Sequence, residues 1–352
     1  MGTREEAIVG CLLGTAAGDA LGLAAEGLSI RRQRKLFPNL DCPRLLPGGR
    51  GMVSDDTEHA CMLAQALIES AGDPALFSAR FARRLRIWFL GLPAGVGLAT
   101  LRACLKLLVG FSPERSGVRS AGNGPAMRSA LLGVCHGADP ERLKLLVCES
   151  THITHTDPRA EAGAMAVALA AYISSQRLPE GEITLAFRAI LYAMVMEPET
   201  RRRLDAAMDS VERGESAAEF AASIGAAGYV SGYILQTVPI VIHCWLRTPN
   251  DFRRAVNTVI ACGGDTDTTA AILGAIVGAG GASIPQEWLD GICERPCSVD
   301  WMRRLAGQLA RVCETGQSEA PVDTWFALRF ARNFGFALIV LTHGLRRLLP
   351  PY

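Results

Sequence analysis

Apolar residues recur along this chain mostly at the three- and four-residue spacing of helices, not in the alternation that marks strands. Runs rich in Ala, Leu, Met and Arg are punctuated by Gly and Pro, which start or stop helices. The pattern predicts helices over residues 58–70, 74–90, 98–109, 125–135, 140–151, 159–173, 184–195, 230–245, 251–261, 268–279 and 300–314. No fixed period marks a solenoid, so the expected fold is all-α, a compact multi-helix bundle. The stretch from Ala270 to Ala279 is small and apolar all round, the pattern of a buried helix. Residues 334–342 are too short to span a bilayer before His343, Arg346 and Arg347 intervene, and read as an amphipathic helix docked on the body.

With 352 residues, 49% of them hydrophobic, the chain can build a large core. No Ser/Pro-rich linker or charge block divides it, so a single domain over 1–352 is expected, with 282–352 as a C-terminal helical extension packed on the same body. A net charge of +1 argues against nucleic acid as a default partner. The 11 cysteines fall at irregular spacings without a CxxC pair, as expected of reduced thiols in a cytoplasmic protein. The apolar run from Ala7 to Ala25 does not fit an export signal, because Glu5 and Glu6 precede it and Asp19 interrupts it. No membrane partner is expected, and the pattern fixes no oligomeric state.

Two acidic clusters change this picture. Ser54-Asp55-Asp56-Thr57 and Gly264-Asp265-Thr266-Asp267-Thr268-Thr269 lie far apart in the chain, and each opens into a helix. Asp and Thr oxygens are hard ligands suited to Mg²⁺, Mn²⁺ or Ca²⁺, and adjacent carboxylates repel each other unless a cation lies between them. Alone, the first cluster is also a good helix N-cap. The second opens a buried helix, where unpartnered carboxylates are very costly, and no Lys or Arg stands nearby in sequence. Four carboxylates balance two divalent ions, leaving Glu26 as a further acid for water or substrate; a surface acid is its other reading. Asp19 reads as a partner for backbone donors at the Gly-rich break around Gly18 and Gly22.

Gly122-Asn123-Gly124 stands directly before Pro125, plausible as the first residue of a helix, so its backbone N–H groups could cradle an anion; the same residues also describe an ordinary tight turn. His155-Thr156-Asp157-Pro158 could hold a sugar, or could be an N-cap beside a satisfied histidine. His152 reads as structural.

In this order, the elements resemble the ADP-ribosylglycohydrolase family. The likeness runs from Ala7 to Gly281 and is carried by Gly10-Cys11-Leu12-Leu13-Gly14 with Gly18-Asp19-Ala20-Leu21-Gly22, both acidic clusters, Gly122-Asn123-Gly124 with Met127-Arg128, His155-Thr156-Asp157-Pro158 and Gly232-Tyr233. The resemblance implies an all-α fold with a binuclear Mg²⁺ or Mn²⁺ centre at the bottom of an ADP-ribose cleft. It implies Ser54, Asp55, Asp56, Asp265, Asp267 and Thr268 as metal ligands, with Glu26 on the loop over the metals and Glu26, Asp55 and Asp56 as catalytic groups. Gly122, Asn123 and Gly124 would meet the phosphates, His155 and Asp157 the distal ribose, and Tyr233 or Tyr229 the adenosine.

The implied reaction is hydrolysis of the bond between the distal ribose and an acceptor, on an ADP-ribosylated protein or a small ADP-ribosyl conjugate; nucleic acid would enter only as an ADP-ribosylated substrate. Water would attack an oxocarbenium-like carbon while Glu26 or one of the acidic cluster handles the proton. Relatives that cleave ADP-ribosyl-arginine carry an Asp in an Asp-Ile-Gly-like segment, and Gly95-Val96-Gly97 stands here instead. Arginine, serine, acetyl and nucleic-acid acceptors stay open. So do two other readings, a non-catalytic ADP-ribose-binding or structural relative and a two-metal phosphohydrolase.

Overall fold

The computed structural model describes residues 2–38 and 40–346. Among these, the chain forms eighteen helices. They are α1 (Arg4–Gly22), α2 (Ile30–Leu36), α3 (Asp55–Ser70), α4 (Pro74–Leu90), α5 (Leu98–Leu108), α6 (Pro113–Ser116), α7 (Ala126–His136), α8 (Pro140–His152) and α9 (Pro158–Ser175). There follow α10 (Glu180–Met194), α11 (Pro198–Glu212), α12 (Ala217–Ser223), α13 (Ile234–Arg247), α14 (Phe252–Ile260), α15 (Thr266–Ala279), α16 (Gln286–Asp290), α17 (Val299–Thr315) and α18 (Phe326–Arg346). The fold is all-α; the described residues pair as strands only at isolated bridges in loops, such as Gly122 with Tyr233 and Val230 with Gly264.

Every helix expected from the apolar spacing is present, with small shifts at the ends. The helix expected from residue 58 starts at Asp55, because the Ser54 hydroxyl caps it by accepting the Asp56 N–H at 3.2 Å. The one expected from 230 starts at Ile234, because Val230 and Tyr233 form bridges to Gly264 and Gly122. Pro125 caps α7 without being its first residue. Helix α11 escapes the periodicity argument: its sequence is rich in charge, and its buried side is only Thr200, Leu204, Ala207, Met208 and Ser210. Helix α1 escapes it for the opposite reason, being buried from Cys11 to Gly22 without a polar face.

Helices α1 and α15 are the axis of the molecule, and glycine lets them touch backbone to backbone. A Cβ at Gly14 would lie 2.1 Å from the Gly274 carbonyl oxygen, and one at Gly18 would lie 2.0 Å from that of Ala270. Gly10 and Gly22 meet Gly278 and Thr266 in the same way, so a stripe at i, i+4 faces α15 along the whole of α1. Helix α9 is buried on nearly every side, and α3, α7, α13 and α17 surround this centre.

At the C-terminal side, α18 docks through one face. Phe336 packs with Leu23, Leu45 and Met52, whereas Phe334 and Leu341 on the same helix are exposed. The Arg332 guanidinium is buried between Glu294 (2.6 Å) and Glu58 (2.9 Å) and also donates to the Val53 carbonyl oxygen at 2.6 Å. Residues 347–352, including Arg347, lie outside the described residues. No described helix is long and apolar enough to cross a membrane.

Candidate metal centre and cleft

The close approach of α1 to α15 brings three carboxylates from three helices to one point. Asp19 on α1, Asp56 on α3 and Asp267 on α15 each offer an oxygen within 4.8 Å of the others, and all three are buried. Asp19 accepts the Ser54 backbone N–H at 2.9 Å, the Thr57 N–H at 3.2 Å and the Thr57 hydroxyl at 2.5 Å. It therefore satisfies backbone donors as expected, but across the helix interface at the start of α3 rather than at its own Gly-rich segment.

The second acidic loop is set by Gly263 and Gly264, at φ of +74° and +83°. A Cβ at Gly264 would lie 2.1 Å from the Val230 carbonyl oxygen, against which the loop packs. The turn delivers Asp265 as the N-cap of α15 and places Thr266 to Thr268 in its first turn. Asp265 accepts from the Asn123 amide at 2.6 Å, and the Thr268 hydroxyl donates to Asp56 at 3.2 Å, so the two clusters are joined directly. Ser54 also donates its hydroxyl to Asp56, at 2.9 Å. Glu26 follows α1 on a loop tied to the second cluster by the Gly27 N–H, which donates to the Gly264 carbonyl at 2.8 Å.

Burial raises the pKa of every member of the three-carboxylate group. It pushes Asp19 to about 7 against the hydrogen bonds it accepts. Asp55, Asp56 and Asp267 are held well above the usual carboxylate range by burial first and then by neighbouring carboxylates, Glu58 and Asp19 for Asp55, Asp19 and Asp55 for Asp56, and Glu26 and Asp265 for Asp267. One oxygen of Asp56 and one of Asp267 are buried without a hydrogen-bond partner among the described residues. Orphaned, mutually repelling, hard oxygen donors are what a divalent cation requires, so the residues present fit such an ion.

Above them opens a cleft of about 420 Å³. Asp55, Asp265, Asp267, Thr268 and Glu26 line it together with Gly122, Asn123, Gly124 and His155. Ser54 and Asp56 lie beneath, 5% and 1% exposed. The two glycines leave room for the imidazole: a Cβ would lie 3.1 Å from His155 Nε2 at Gly122 and 3.0 Å from its Cε1 at Gly124. Burial, with the Arg128 charge behind it, lowers the His155 pKa to about 3, so the ring is neutral.

Asp157 and Tyr233 are placed differently. Asp157 caps α9 and chelates the Arg159 guanidinium at 2.9 Å through both oxygens, and it is not among the residues lining the cleft. Tyr233 caps α13 and its hydroxyl accepts from Arg159 at 3.0 Å, whereas Tyr229 lines the cleft. Thr100 and Ser120 also line it and were not singled out in the sequence; neither sits in a pattern that could have marked it. Gly95, Gly97 and Leu98 contribute to the lining as well.

Fold and site together define an all-helical protein with a carboxylate centre on the floor of a ligand-sized cleft. Comparison with known proteins gives this class its family. The family profile described as ADP-ribosylglycohydrolase matches residues 1–319, and the chain belongs to that family. An uncharacterized protein of Archaeoglobus fulgidus is 31% identical over 312 residues, covering 87% of this chain and 96% of that protein. The ADP-ribosyl-[dinitrogen reductase] glycohydrolase of Rhodospirillum rubrum is 27% identical, covering 85% and 96%, and the human ADP-ribosylhydrolase ARH3 is 27% identical, covering 79% and 87%. A solved structure titled an ADP-ribosylglycohydrolase-related protein complex superposes with a TM-score of 0.67 at 28% identity, covering 89% of this chain and all of that one. Family membership makes the chain a relative of ADP-ribosyl hydrolases.

Proposed function

We propose that the protein hydrolyses the bond between the distal ribose of ADP-ribose and an acceptor, with two divalent cations, Mg²⁺ or Mn²⁺, held by Ser54, Asp55, Asp56, Asp265, Asp267 and Thr268. The observation that carries this reading is one cleft whose lining combines residues of both acidic clusters and Glu26 with Gly122, Asn123, Gly124 and His155. Asp19, whose carboxylate joins the group, orients the start of α3. Bound there, the cations would fix the ribose hydroxyls and lower the pKa of water.

The chain's own groups supply the rest. Gly122, Asn123 and Gly124 would meet the phosphates chiefly through the Gly124 N–H, because the Asn123 N–H already donates to the Gly232 carbonyl at 2.9 Å and the Gly122 N–H to the Ser120 hydroxyl at 3.3 Å. Glu26 takes the proton lost by the attacking water. The water oxygen bonds to the anomeric carbon as the bond to the acceptor breaks, the electron pair leaves on the acceptor heteroatom, which takes up the proton passed through Glu26, and the carboxylates offset the positive charge developing on the sugar. Gly95, which lines the cleft where arginine-cleaving relatives carry an Asp, has no side chain to act as a base, which argues against an arginine acceptor and leaves serine-linked, acetyl and nucleic-acid acceptors as candidates. An ADP-ribosylated protein or small conjugate is the substrate class, acted on in the cytoplasm.

The test is chromatography of products from arginine-linked and serine-linked ADP-ribosyl peptides and O-acetyl-ADP-ribose, with Mg²⁺ and with chelator. Intact ADP-ribose released only with metal is expected. AMP or phosphate as product would establish a phosphohydrolase instead, and tight ADP-ribose binding without release a non-catalytic binder. Asp267→Asn should abolish metal-dependent release. By removing one of several buried carboxylates whose pKa burial and neighbouring charges raise, it should also stabilise the chelated protein against unfolding at neutral pH, as urea titration would read.

A further inference from the structure

Behind His155 lies a buried arginine that the proposed chemistry does not use. Arg128, in the first turn of α7, is 1% exposed, and its hydrogen bonds go to neutral groups. Its Nε donates to the Ser150 hydroxyl (3.2 Å), Nη2 to the Ser150 carbonyl (2.7 Å) and to the Thr154 hydroxyl (2.8 Å), and Nη1 meets His59 Nδ1 at 3.0 Å. A guanidinium only donates, so the Thr154 oxygen is an acceptor towards Arg128. Its single proton is free for one other partner, either His155 Nδ1 at 2.8 Å or the Thr151 carbonyl at 3.4 Å. The shorter contact is a normal hydrogen-bond length and the longer one is weak.

We infer that Arg128 and Thr154 are positioning residues that hold His155 in one tautomer, with Nδ1 accepting from Thr154 and Nε2–H offered to an acceptor oxygen in the cleft. The backbone holds the pair in register. The Val118 N–H donates to the Thr154 carbonyl and the Thr156 N–H to the Val118 carbonyl, so the turn carrying His155 is clamped on both sides. Gly122 and Gly124 then leave the Nε2 edge uncovered towards the cleft. The cation close behind the ring disfavours a second proton, which makes His155 a fixed neutral donor and not an acid or base that cycles. The ligand chemistry it suits is a phosphate or hydroxyl oxygen. This deepens the reading given under Proposed function and rests on it for the identity of the ligand, but not for the tautomer.

The experiment is ¹⁵N NMR of histidine-labelled full-length protein with Mg²⁺, which reads each ring nitrogen directly, together with calorimetric titration of ADP-ribose. Wild type should show His155 with Nε2 protonated and Nδ1 unprotonated. Thr154→Val should mix or reverse the tautomers and weaken ADP-ribose binding about tenfold, while Thr154→Ser restores both. Arg128→Met should act in the same direction; if it fails to fold, the Thr154 pair carries the test. An Nδ1–H tautomer in wild type, or a Thr154→Val spectrum and affinity equal to wild type, would overturn the inference. Wild type that shows the Nε2–H signal yet binds no ADP-ribose would uphold the inference and overturn the functional reading alone.

Discussion

Arg332→Met tests whether α18 braces the acidic floor of the cleft. The wild-type guanidinium is 8% exposed and forms two bonds with Glu294, through Nη2 at 2.6 Å and Nε at 3.0 Å, and a third with Glu58 at 2.9 Å. Glu294 is itself 3% exposed and accepts the Val53 N–H at 2.9 Å, one residue before Ser54. Methionine fills a similar volume and leaves two carboxylates without their cation, a change that typically costs about 3–5 kcal/mol for a buried pair. Glu58 is 21% exposed and keeps the Trp88 indole N–H at 2.6 Å, so about 3 kcal/mol is expected here.

The pH dependence carries a sign. In wild type, burial already raises the Glu58 pKa and Arg332 is the main group lowering it. Removing the arginine raises it further in the folded state, and a group raised on folding contributes stability below its unfolded pKa that is lost as pH rises. The deficit of the variant should therefore be larger at pH 8 than at pH 5. Urea unfolding at both values measures it, and Arg332→Met combined with Glu294→Gln should recover part of the loss. A deficit below about 1 kcal/mol at pH 8, the size of a surface pair, would refute the brace.

Two further outcomes follow from the same geometry. Gly18→Ala places a methyl carbon 2.0 Å from the Ala270 carbonyl oxygen between two backbones that cannot give way locally, so it should destabilise the protein by about 3 kcal/mol or more and weaken Mn²⁺ binding by separating Asp19 from Asp267; unfolding and metal titration check both. Asp157→Ala removes the α9 N-cap and the partner of Arg159, and should cost about 1–2 kcal/mol of stability with little change in KM; a large KM effect at unchanged stability would give Asp157 the ribose role that the family likeness implies.

Much of this protein is legible in one dimension. Helical spacing predicts eleven of the helices; most are amphipathic and declare which side is buried, while α9 and α15 show as runs of small apolar residues. The two acidic clusters are legible because a carboxylate pair at the mouth of a buried helix is a local contradiction that needs an outside partner. The tertiary structure alone decided which residues share the site. Asp19 reads locally as a helix residue among glycines and enters the carboxylate group only because those glycines let α1 meet α15 at backbone contact. The family likeness implies a ribose role for Asp157 and an adenosine role for Tyr233, and in space Arg159 engages both. Arg332 and Arg128 are ordinary surface-type residues in sequence and buried ones in space, each compensated by groups from distant parts of the chain. Propensity and periodicity act over a few residues and so can be read along the chain; desolvation and charge pairing depend on what arrives from elsewhere.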